Sequence, residues 1–260
     1  MSLRDVVASP VRRALATAVH YGWAWVCRHG EITPATPAGL RFRRLGEGTS
    51  IGFPAGAIFG ERWIEVGAHT LIAPYVTLSA GFAPGLDLGP DPVVRIGSGC
   101  SIGRGNQIIG HQSIEIGDDV FTGPNVYITD QNHTYRDPAQ PIGRQWPENN
   151  PVVIGDGCWI GTGAIVLPGT RLGRNVAVAG GAVVRGEFPD HCVIAGVPAK
   201  IVRSFDAAGG WEPPLAGRRP LVSLDELHKL AGLSAADLEA LRNLEDPSPL
   251  AEDPLTKETG

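Results

Sequence analysis

The sequence contains few cysteines and no long apolar run, and both shortages limit what the chain can be. Its four Cys among 260 residues form neither a disulfide framework nor a zinc-ligand spacing, which is typical of a protein from a reducing compartment. The longest apolar stretch, residues 14–27, is too short to cross a bilayer, and the first residues lack the pattern of a secretory signal peptide. A net charge of −5 gives no indication of nucleic-acid binding. We therefore expect a cytoplasmic protein without a transmembrane segment.

Glycine and proline are abundant by contrast, with 35 Gly and 22 Pro. They accompany aliphatic residues spaced six apart, a period that fits neither a helix, with apolar spacings of three and four, nor a strand with strict alternation. The clearest run of this repeat comprises Ile154, Ile160, Val166, Leu172, Val178 and Val184. Such a repeat predicts an all-β fold, a parallel β-helix in which each hexad is a short strand with its corner and stacked coils bury a shared core.

The residue two places before each aliphatic residue supports this interpretation. It points to the same side of the strand and faces the core near a corner, where only a small or slim side chain fits. In the same run these residues are Val152, Cys158, Ala164, Thr170, Val176 and Ala182. The pattern returns upstream and predicts a solenoid over residues 45–203. Because Cys100, Cys158 and Cys192 occupy this inward position, we interpret them as core residues and not as nucleophiles.

The segment before the solenoid, residues 1–44, is predicted to be a helix followed by a Pro-containing connection. The helix carries apolar residues at helical spacing together with Arg12, Arg13 and Arg28. We expect it to pack against the solenoid or a neighbouring subunit, with the surface of a membrane as the alternative.

The segment after the solenoid, residues 204–260, is predicted to be a helical extension. A capping box begins at Ser223 and a second helix start at Ser234, and both precede leucines at helical spacing. The end of the chain, from residue 245, is rich in Pro and acidic residues, so we expect it to be disordered.

Two insertions interrupt the repeat at the same phase. Residues 81–92 follow three complete hexads, and residues 134–151 follow three others. If three hexads close one coil, both loops leave the solenoid at the same corner. Loops on one rigid edge are where binding and catalysis concentrate.

The second insertion is introduced by a polar run that contains His133. An imidazole with a pKa of about 6.5 can accept a proton from a hydroxyl or an amine at neutral pH. A polar loop histidine without a chemical role fits the residues equally well.

Four motifs in sequence order resemble those of the hexapeptide-repeat acyltransferases. They are Ile-Gly-Asp-Asp-Val at 116–120 with Pro-Asn-Val at 124–126, Asn-His at 132–133, the run 151–161 that ends in Cys-Trp-Ile-Gly, and Ile-Ala-Gly-Val-Pro-Ala-Lys-Ile-Val-Arg at 194–203. The similar branch contains maltose, galactoside and nodulation-factor O-acetyltransferases, xenobiotic acetyltransferases and polysaccharide O-acetyltransferases. The resemblance implies a left-handed β-helix, an exception to the right-handed crossover rule, assembled as a homotrimer with active sites between subunits.

By position, the resemblance implies an acetyl-CoA-dependent O-acetyltransferase that acts on a sugar or glycan hydroxyl. His133 would be the general base while the hydroxyl attacks the thioester directly; a longer acyl-CoA donor is the alternative, and no metal is expected. Implied CoA contacts are Trp159, Thr162, Gly180, Gly181, Arg185, Lys200 and Arg203. Candidate acceptor contacts are Asp130, Asn132, Tyr135, Asn106 and His111. Trp159 is equally compatible with packing on the next coil, and Arg185 stands one position before the usual lysine of the family.

Two other functions use the same solenoid. A γ-class carbonic anhydrase requires three histidines around zinc, but the phase of the repeat places His69 on a different side from His111 and His133. A solenoid without catalytic activity could serve as a binding module. The Asn132–His133 pair and Trp159 favour the enzyme over this module.

Overall fold

The computed structural model describes residues 10–214, with the side chain of residue 11 left aside. They belong to two compact units, one up to Ser204 and one from Phe205. The two helices and the disordered end predicted beyond residue 214 lie outside the described residues, as do residues 1–9 of the predicted N-terminal helix. Among residues 10–214, no helix has both the length and the hydrophobicity that a membrane span requires.

The first unit consists of a helix, α1 (Pro10–His29), and a three-sided solenoid. Each complete coil has three short strands, one on each side of the prism. The first four coils contain β1 (Arg44–Leu45), β2 (Ser50–Ile51), β3 (Ile58–Phe59), β4 (Ile64–Val66), β5 (Leu71–Ile72), β6 (Thr77–Ala80), β7 (Val94–Ile96), β8 (Ser101–Ile102), β9 (Gln107–Gly110), β10 (Ile114–Ile116), β11 (Phe121–Thr122) and β12 (Tyr127–Thr129).

A hairpin separates these coils from the remaining ones. The hairpin strands are β13 (Gln131–Asn132) and β14 (Glu148–Asn149). The later strands are β15 (Val152–Ile154), β16 (Trp159–Ile160), β17 (Ile165–Val166), β18 (Arg171–Leu172), β19 (Ala177–Val178), β20 (Val183–Val184), β21 (Glu187–Phe188), β22 (Cys192–Ala195), β23 (Lys200–Asp206) and β24 (Gly210–Glu212). Short 3-10 helices occupy Gly39–Arg41, Glu61–Trp63 and Ile142–Arg144.

Strands on the same side of the prism pair in parallel and form three sheets, called face 1, face 2 and face 3. Face 1 has the order β1-β4-β7-β10-β15-β18-β21, face 2 runs β2-β5-β8-β11-β16-β19-β22, and face 3 has β20-β17-β12-β9-β6-β3. At the end of face 2, β23 pairs antiparallel with β22. The predicted left-handed parallel β-helix is confirmed.

The core lies along the axis of the prism and consists of the residues that the six-residue repeat identified. Paired strands place equivalent positions on top of one another, so that Ile116 stacks on Ile154 and Ile160 on Val178. All twelve residues of the run quoted above are at most 3% exposed. The interior therefore has the uniform small and aliphatic composition that lets coils of identical width stack.

The corners explain why glycine and asparagine recur between the strands. Asn125 and Asn175 adopt positive φ angles of 57° and 52°, a region that asparagine tolerates better than most residues. Gly157 also has a positive φ, of 66°, and a Cβ atom there would meet the Asn175 side chain of the next coil. The chain therefore changes direction within a few residues at each corner, and each corner aligns with the corner of the next coil.

Both insertions leave the solenoid from the corner between face 3 and face 1, as the phase of the repeat predicted. The first follows β6 and the second follows β12, and both strands lie in face 3. Between them, in the intermediate coil, a short turn at residues 111–113 joins β9 to β10. This corner therefore carries the two long loops around one tight turn.

The helix α1 departs from the expectation that it packs against the solenoid. Every described side chain from residue 12 to residue 26 is exposed. Contact with the solenoid is confined to the C-terminal turns, where the Trp23 ring lies 6.3 Å from the Phe53 ring and Cys27 is half-buried. Packing against its own chain is therefore wrong for most of the helix, and packing against a neighbouring subunit stays a prediction.

Residues 205–214 are the described part of the second unit. The Phe205 and Trp211 rings pack edge to face with their centroids 5.5 Å apart. The Asp206 carboxylate accepts the N–H groups of Ala208 and Gly209 at 2.8 and 2.9 Å. These contacts close the turn that leads into β24.

Candidate active site

The predicted base, His133, directly follows the first strand of a hairpin at the corner between face 3 and face 1. The strands β13 and β14 pair over Gln131 and Asn149, whose side-chain amides also bond at 3.0 Å. The backbone N–H of Asn150 donates to the carbonyl of Asp130 at 2.7 Å and closes the base of the hairpin. His133 follows β13 in the loop of this hairpin, and its side chain is exposed.

Asp130 anchors the hairpin to the preceding coil. Its side chain is fully buried; one oxygen accepts the N–H of His111 at 2.8 Å, and the other accepts those of Gln112 and Ser113 at 2.7 Å each. A carboxylate that accepts several backbone N–H groups is held firmly. The prediction that Asp130 contacts the acceptor is therefore corrected, because both oxygens are engaged and no part of the side chain reaches the surface.

His111 lies in the turn that Asp130 holds, within electrostatic range of His133. Burial lowers the pKa of His111 from its ordinary value; Asp130 opposes this effect, and His133 lowers the pKa further. The ring is thus favoured in its neutral form. Of the three histidines considered for zinc, His69 does not join the other two, and no group of three potential metal ligands occurs within residues 10–214.

Two buried polar atoms at this corner have no hydrogen-bond partner in the part of the chain that the structure describes. They are the Nδ1 atom of His111 and the Oγ1 atom of Thr134. Buried polar atoms are nearly always paired, with protein or with water. Thr134 was not predicted from the sequence, since one hydroxyl in a polar loop gives no signal, and it adds a second hydrogen-bonding group beside His133.

The remaining acceptor candidates separate into two groups. Asn132 and Tyr135 flank the His133–Thr134 pair in sequence, and both are exposed, Tyr135 by 79%. Asn106 is fully buried; its amide donates to the Thr122 hydroxyl, and its oxygen accepts the Val126 N–H at 2.8 Å. Acceptor contact by Asn106 is therefore corrected to a structural role that links adjacent coils.

Four of the predicted CoA contacts lie together on another part of the prism. Trp159, in β16 of face 2, points outward and is 50% exposed. Thr162 and the pair Gly180–Gly181 occupy the corner between face 2 and face 3 in successive coils, joined by a 2.9 Å bond from the Gly181 N–H to the Thr162 carbonyl. A Cβ atom at Gly181 would have no neighbour within 4 Å. The corner beside the exposed indole therefore has open space outside Gly181.

The three basic candidates are dispersed. Lys200 is exposed at the start of β23, beside the end of face 2. Arg185 is exposed but follows β20 of face 3, at the corner with face 1. Arg203 is only 5% exposed, so the prediction that it contacts CoA phosphates is corrected, because a buried guanidinium does not face a solvated ligand.

The two halves of the predicted site do not meet within one chain. His133 lies at the corner between face 3 and face 1, and Trp159 points away from face 2. In a three-sided prism, this corner is opposite face 2. The imidazole and the indole of one chain are therefore separated by the full width of the solenoid.

Face 2 presents an outward apolar row that sequence reasoning missed. Leu71 is 58% and Phe121 is 51% exposed, and Phe121 pairs directly with Trp159 of the next coil. The available signal was an apolar residue at the outward position just before the inward one, as in Leu71-Ile72 and Trp159-Ile160. Ser101 lies between Leu71 and Phe121 on this face. Outward positions of a solenoid are ordinarily polar, so these exposed apolar side chains form a candidate contact surface.

Comparison with known proteins agrees with this architecture. The family described as bacterial transferase hexapeptide (six repeats) matches residues 151–186, and the hexapeptide repeat of succinyl-transferase matches residues 93–130. A "probable acetyltransferase" of Mycobacterium tuberculosis is 38% identical over 162 residues, which cover 62% of this chain and 48% of that protein. The galactoside O-acetyltransferase of Lactococcus lactis is 32% identical over 113 residues, 44% of this chain and 54% of the relative.

A solved structure supports the fold alone. AntD, an N-acyltransferase from Bacillus cereus in complex with dTDP-4-amino-4,6-dideoxyglucose and coenzyme A, superposes with a TM-score of 0.56 at 18% identity, covering 67% of this chain and 89% of AntD. The chain spans about half the length of the curated relatives it matches. Residues 93–130 and 151–186 thus match hexapeptide repeats of bacterial transferases, and the stacked six-residue coils and these relatives support the resemblance to the hexapeptide-repeat acyltransferases.

Proposed function

We propose that this chain is an acetyl-CoA-dependent O-acetyltransferase in which His133 is the general base toward a hydroxyl of a sugar or glycan. Relatives at 38% and 32% identity carry the names of acetyltransferases, and the second acts on galactosides. These names support acetyl as the group transferred and a saccharide as the acceptor.

The observation that carries this proposal is the corner around His133. An exposed imidazole stands on a hairpin fixed by a buried carboxylate, next to two buried polar atoms without a partner in the described chain, His111 Nδ1 and Thr134 Oγ1. A polyhydroxylated acceptor would supply bonds to these atoms while it presents one hydroxyl to His133. Such groups discriminate strongly in favour of a ligand that pairs with them.

The chemistry requires one proton to move twice. His133 takes the proton of the acceptor hydroxyl as its oxygen bonds to the thioester carbonyl carbon; the C–S bond then breaks, and the imidazolium returns the proton to the departing thiolate. A positioned base contributes about 10²- to 10⁴-fold to the rate. The neutral state favoured at His111 avoids a second positive charge beside this imidazolium.

The donor would lie beside Trp159 on face 2 and along the adjoining corner with face 3, with Trp159 and Thr162 beside the pantetheine arm and Gly180–Gly181 giving it room. Because Trp159 and this corner lie away from the corner of His133 in one chain, a complete site needs the His133 corner of one copy beside face 2 of another. We therefore include in the proposal a homotrimer with three sites between subunits. The apolar row of Leu71, Phe121 and Trp159 supports it, since association would remove this row from water.

The test is acetyl transfer by the purified full-length chain, measured as release of free thiol from acetyl-CoA across mono- and oligosaccharides. We expect saccharide-dependent release that His133→Asn lowers by at least about 100-fold. The matched control is His69→Asn, an exposed corner histidine with φ of 55°, a conformation that asparagine tolerates. Full activity of His133→Asn, or equal losses in both variants, would assign the base elsewhere.

A further inference from the structure

The helix α1 has an uncovered apolar side that the proposed function does not use. Leu15 is 62%, Val19 is 67% and Trp25 is 57% exposed. The helix touches the solenoid only near its C-terminal end, where Trp23 meets Phe53. Soluble proteins rarely leave a continuous row of large apolar side chains in water, so this side has a partner.

The helix α1 has an apolar side and a polar side. At about 100° per residue, the large aliphatic residues fall on one side of the helix, with Arg12 at the edge of that side between Val19 and Trp23. The apolar side comprises Leu15, Ala18, Val19, Gly22 and Val26, and the polar side comprises Arg13, Thr17 and His20. Trp25 lies at one border between the two sides and Trp23 at the other. The helix is therefore amphipathic, with an indole at each edge of its apolar side.

The charge of α1 is opposite to that of the rest of the chain. The helix contains three Arg and neither Asp nor Glu, a formal charge of +3. The whole chain carries −5, which leaves −8 for the other 240 residues. Among the elements of residues 10–214, the most cationic one thus also has an uncovered apolar side.

We propose that α1 lies in the plane of an anionic lipid bilayer, as a peripheral anchor that holds the solenoid at the membrane surface. Its apolar side enters the boundary of the acyl chains, Trp23 and Trp25 sit at the level of the headgroups, and Arg13 and Arg28 face lipid phosphates. A second copy of the chain could cover the aliphatic residues. A second copy, acidic outside this helix, could also attract its arginines, but it gives no reason for an indole at both borders of the apolar side.

The experiment measures binding of the full-length protein to vesicles of phosphatidylcholine with and without phosphatidylglycerol, by co-sedimentation and by the blue shift of tryptophan fluorescence. We expect binding to the anionic vesicles that added salt weakens. Leu15→Asp lowers the partition coefficient at least about tenfold, because burial of a leucine side chain corresponds to roughly 10- to 150-fold. Arg13→Glu reverses one charge and lowers it about 30-fold.

Leu40→Asp is the matched control, since Leu40 is 76% exposed and lies outside the helix. It adds the same negative charge, and we expect binding within about twofold of the original protein. Equal unfolding midpoints in urea show that the variants retain the solenoid. Binding to neither vesicle, or equal losses in Leu15→Asp and Leu40→Asp, overturns the proposal. Protection of α1 from hydrogen exchange in lipid-free oligomers also overturns it, because a second copy then covers the helix.

Discussion

Asp130→Asn replaces the buried carboxylate that ties the hairpin of His133 to the preceding coil. The asparagine has the same size and keeps one oxygen, which can still accept the N–H groups of Gln112 and Ser113. Its NH₂ group must then face the N–H of His111, so one 2.8 Å bond is lost and two donors oppose each other. The substitution therefore tests the anchor without creating a cavity.

The expected loss of stability follows from these three bonds. Hydrogen bonds to a charged group contribute roughly 1.5–3 kcal/mol each, and neutral ones about 0.5–1.5 kcal/mol. Weakening two bonds and losing the third costs about 4 kcal/mol, which the easier desolvation of a neutral amide partly offsets. We expect the free energy of unfolding to fall by about 2–4 kcal/mol.

Urea unfolding of the full-length protein measures this change, with Asp91→Asn as the control because Asp91 is exposed. The control is expected to alter stability by less than about 0.5 kcal/mol. A loss below about 1 kcal/mol for Asp130→Asn would refute the reasoning, because it would mean that the three contacts do not hold the corner.

Three further predictions concern the core and the corner. Ile160→Ala should cost about 2–5 kcal/mol in urea unfolding by leaving a cavity, whereas Ile165→Ala, at a residue 36% exposed on the outer side, should cost less than about 1 kcal/mol. Because the folded state lowers the pKa of His111, the unfolded state binds its proton first as pH falls; stability should decrease below about pH 6.5, and His111→Gln should flatten this part of the stability profile. Burial raises the pKa of Cys158 to about 11, so a thiol reagent near pH 8 should label half-buried Cys27 in the native protein and Cys158 only after unfolding, as peptide mass spectrometry would detect. Comparable urea midpoints for the two Ile variants, a profile unchanged in His111→Gln, or rapid native labelling of Cys158 would contradict these predictions in turn.

The solenoid could be predicted from the sequence because its core obeys a local rule. Each inward position, such as Ile160 or Ala164, needs a residue of defined size because a coil stacks on the next there. Residues of that size therefore recur every six positions in the sequence. The phase of the same period placed both insertions at one corner. The six-residue period in the sequence therefore follows directly from the packing of the solenoid core.

The site could be predicted only in part, because its contacts join residues that the sequence keeps apart. Asp130 looked like a ligand contact in a polar run, whereas its partners are backbone groups 17 to 19 residues earlier that only coil stacking brings near. Asn106 stands two residues before Ile108, which is the inward position of the repeat, but its bond to Thr122 could not be predicted from that position. For α1 the pattern indicated a helix, but no periodicity encodes that only its C-terminal turns contact the solenoid.

The most direct test of the account is complementation between two inactive variants. If His133 of one copy works with Trp159 of another, mixed oligomers of His133→Asn and Trp159→Ala contain intact sites at about a quarter of their interfaces. The two variants are mixed after unfolding and refolding together, and thiol release is compared with each variant refolded alone. The account predicts that activity returns to roughly a quarter of the original level in the mixture; activity no higher than that of the separate variants would contradict it.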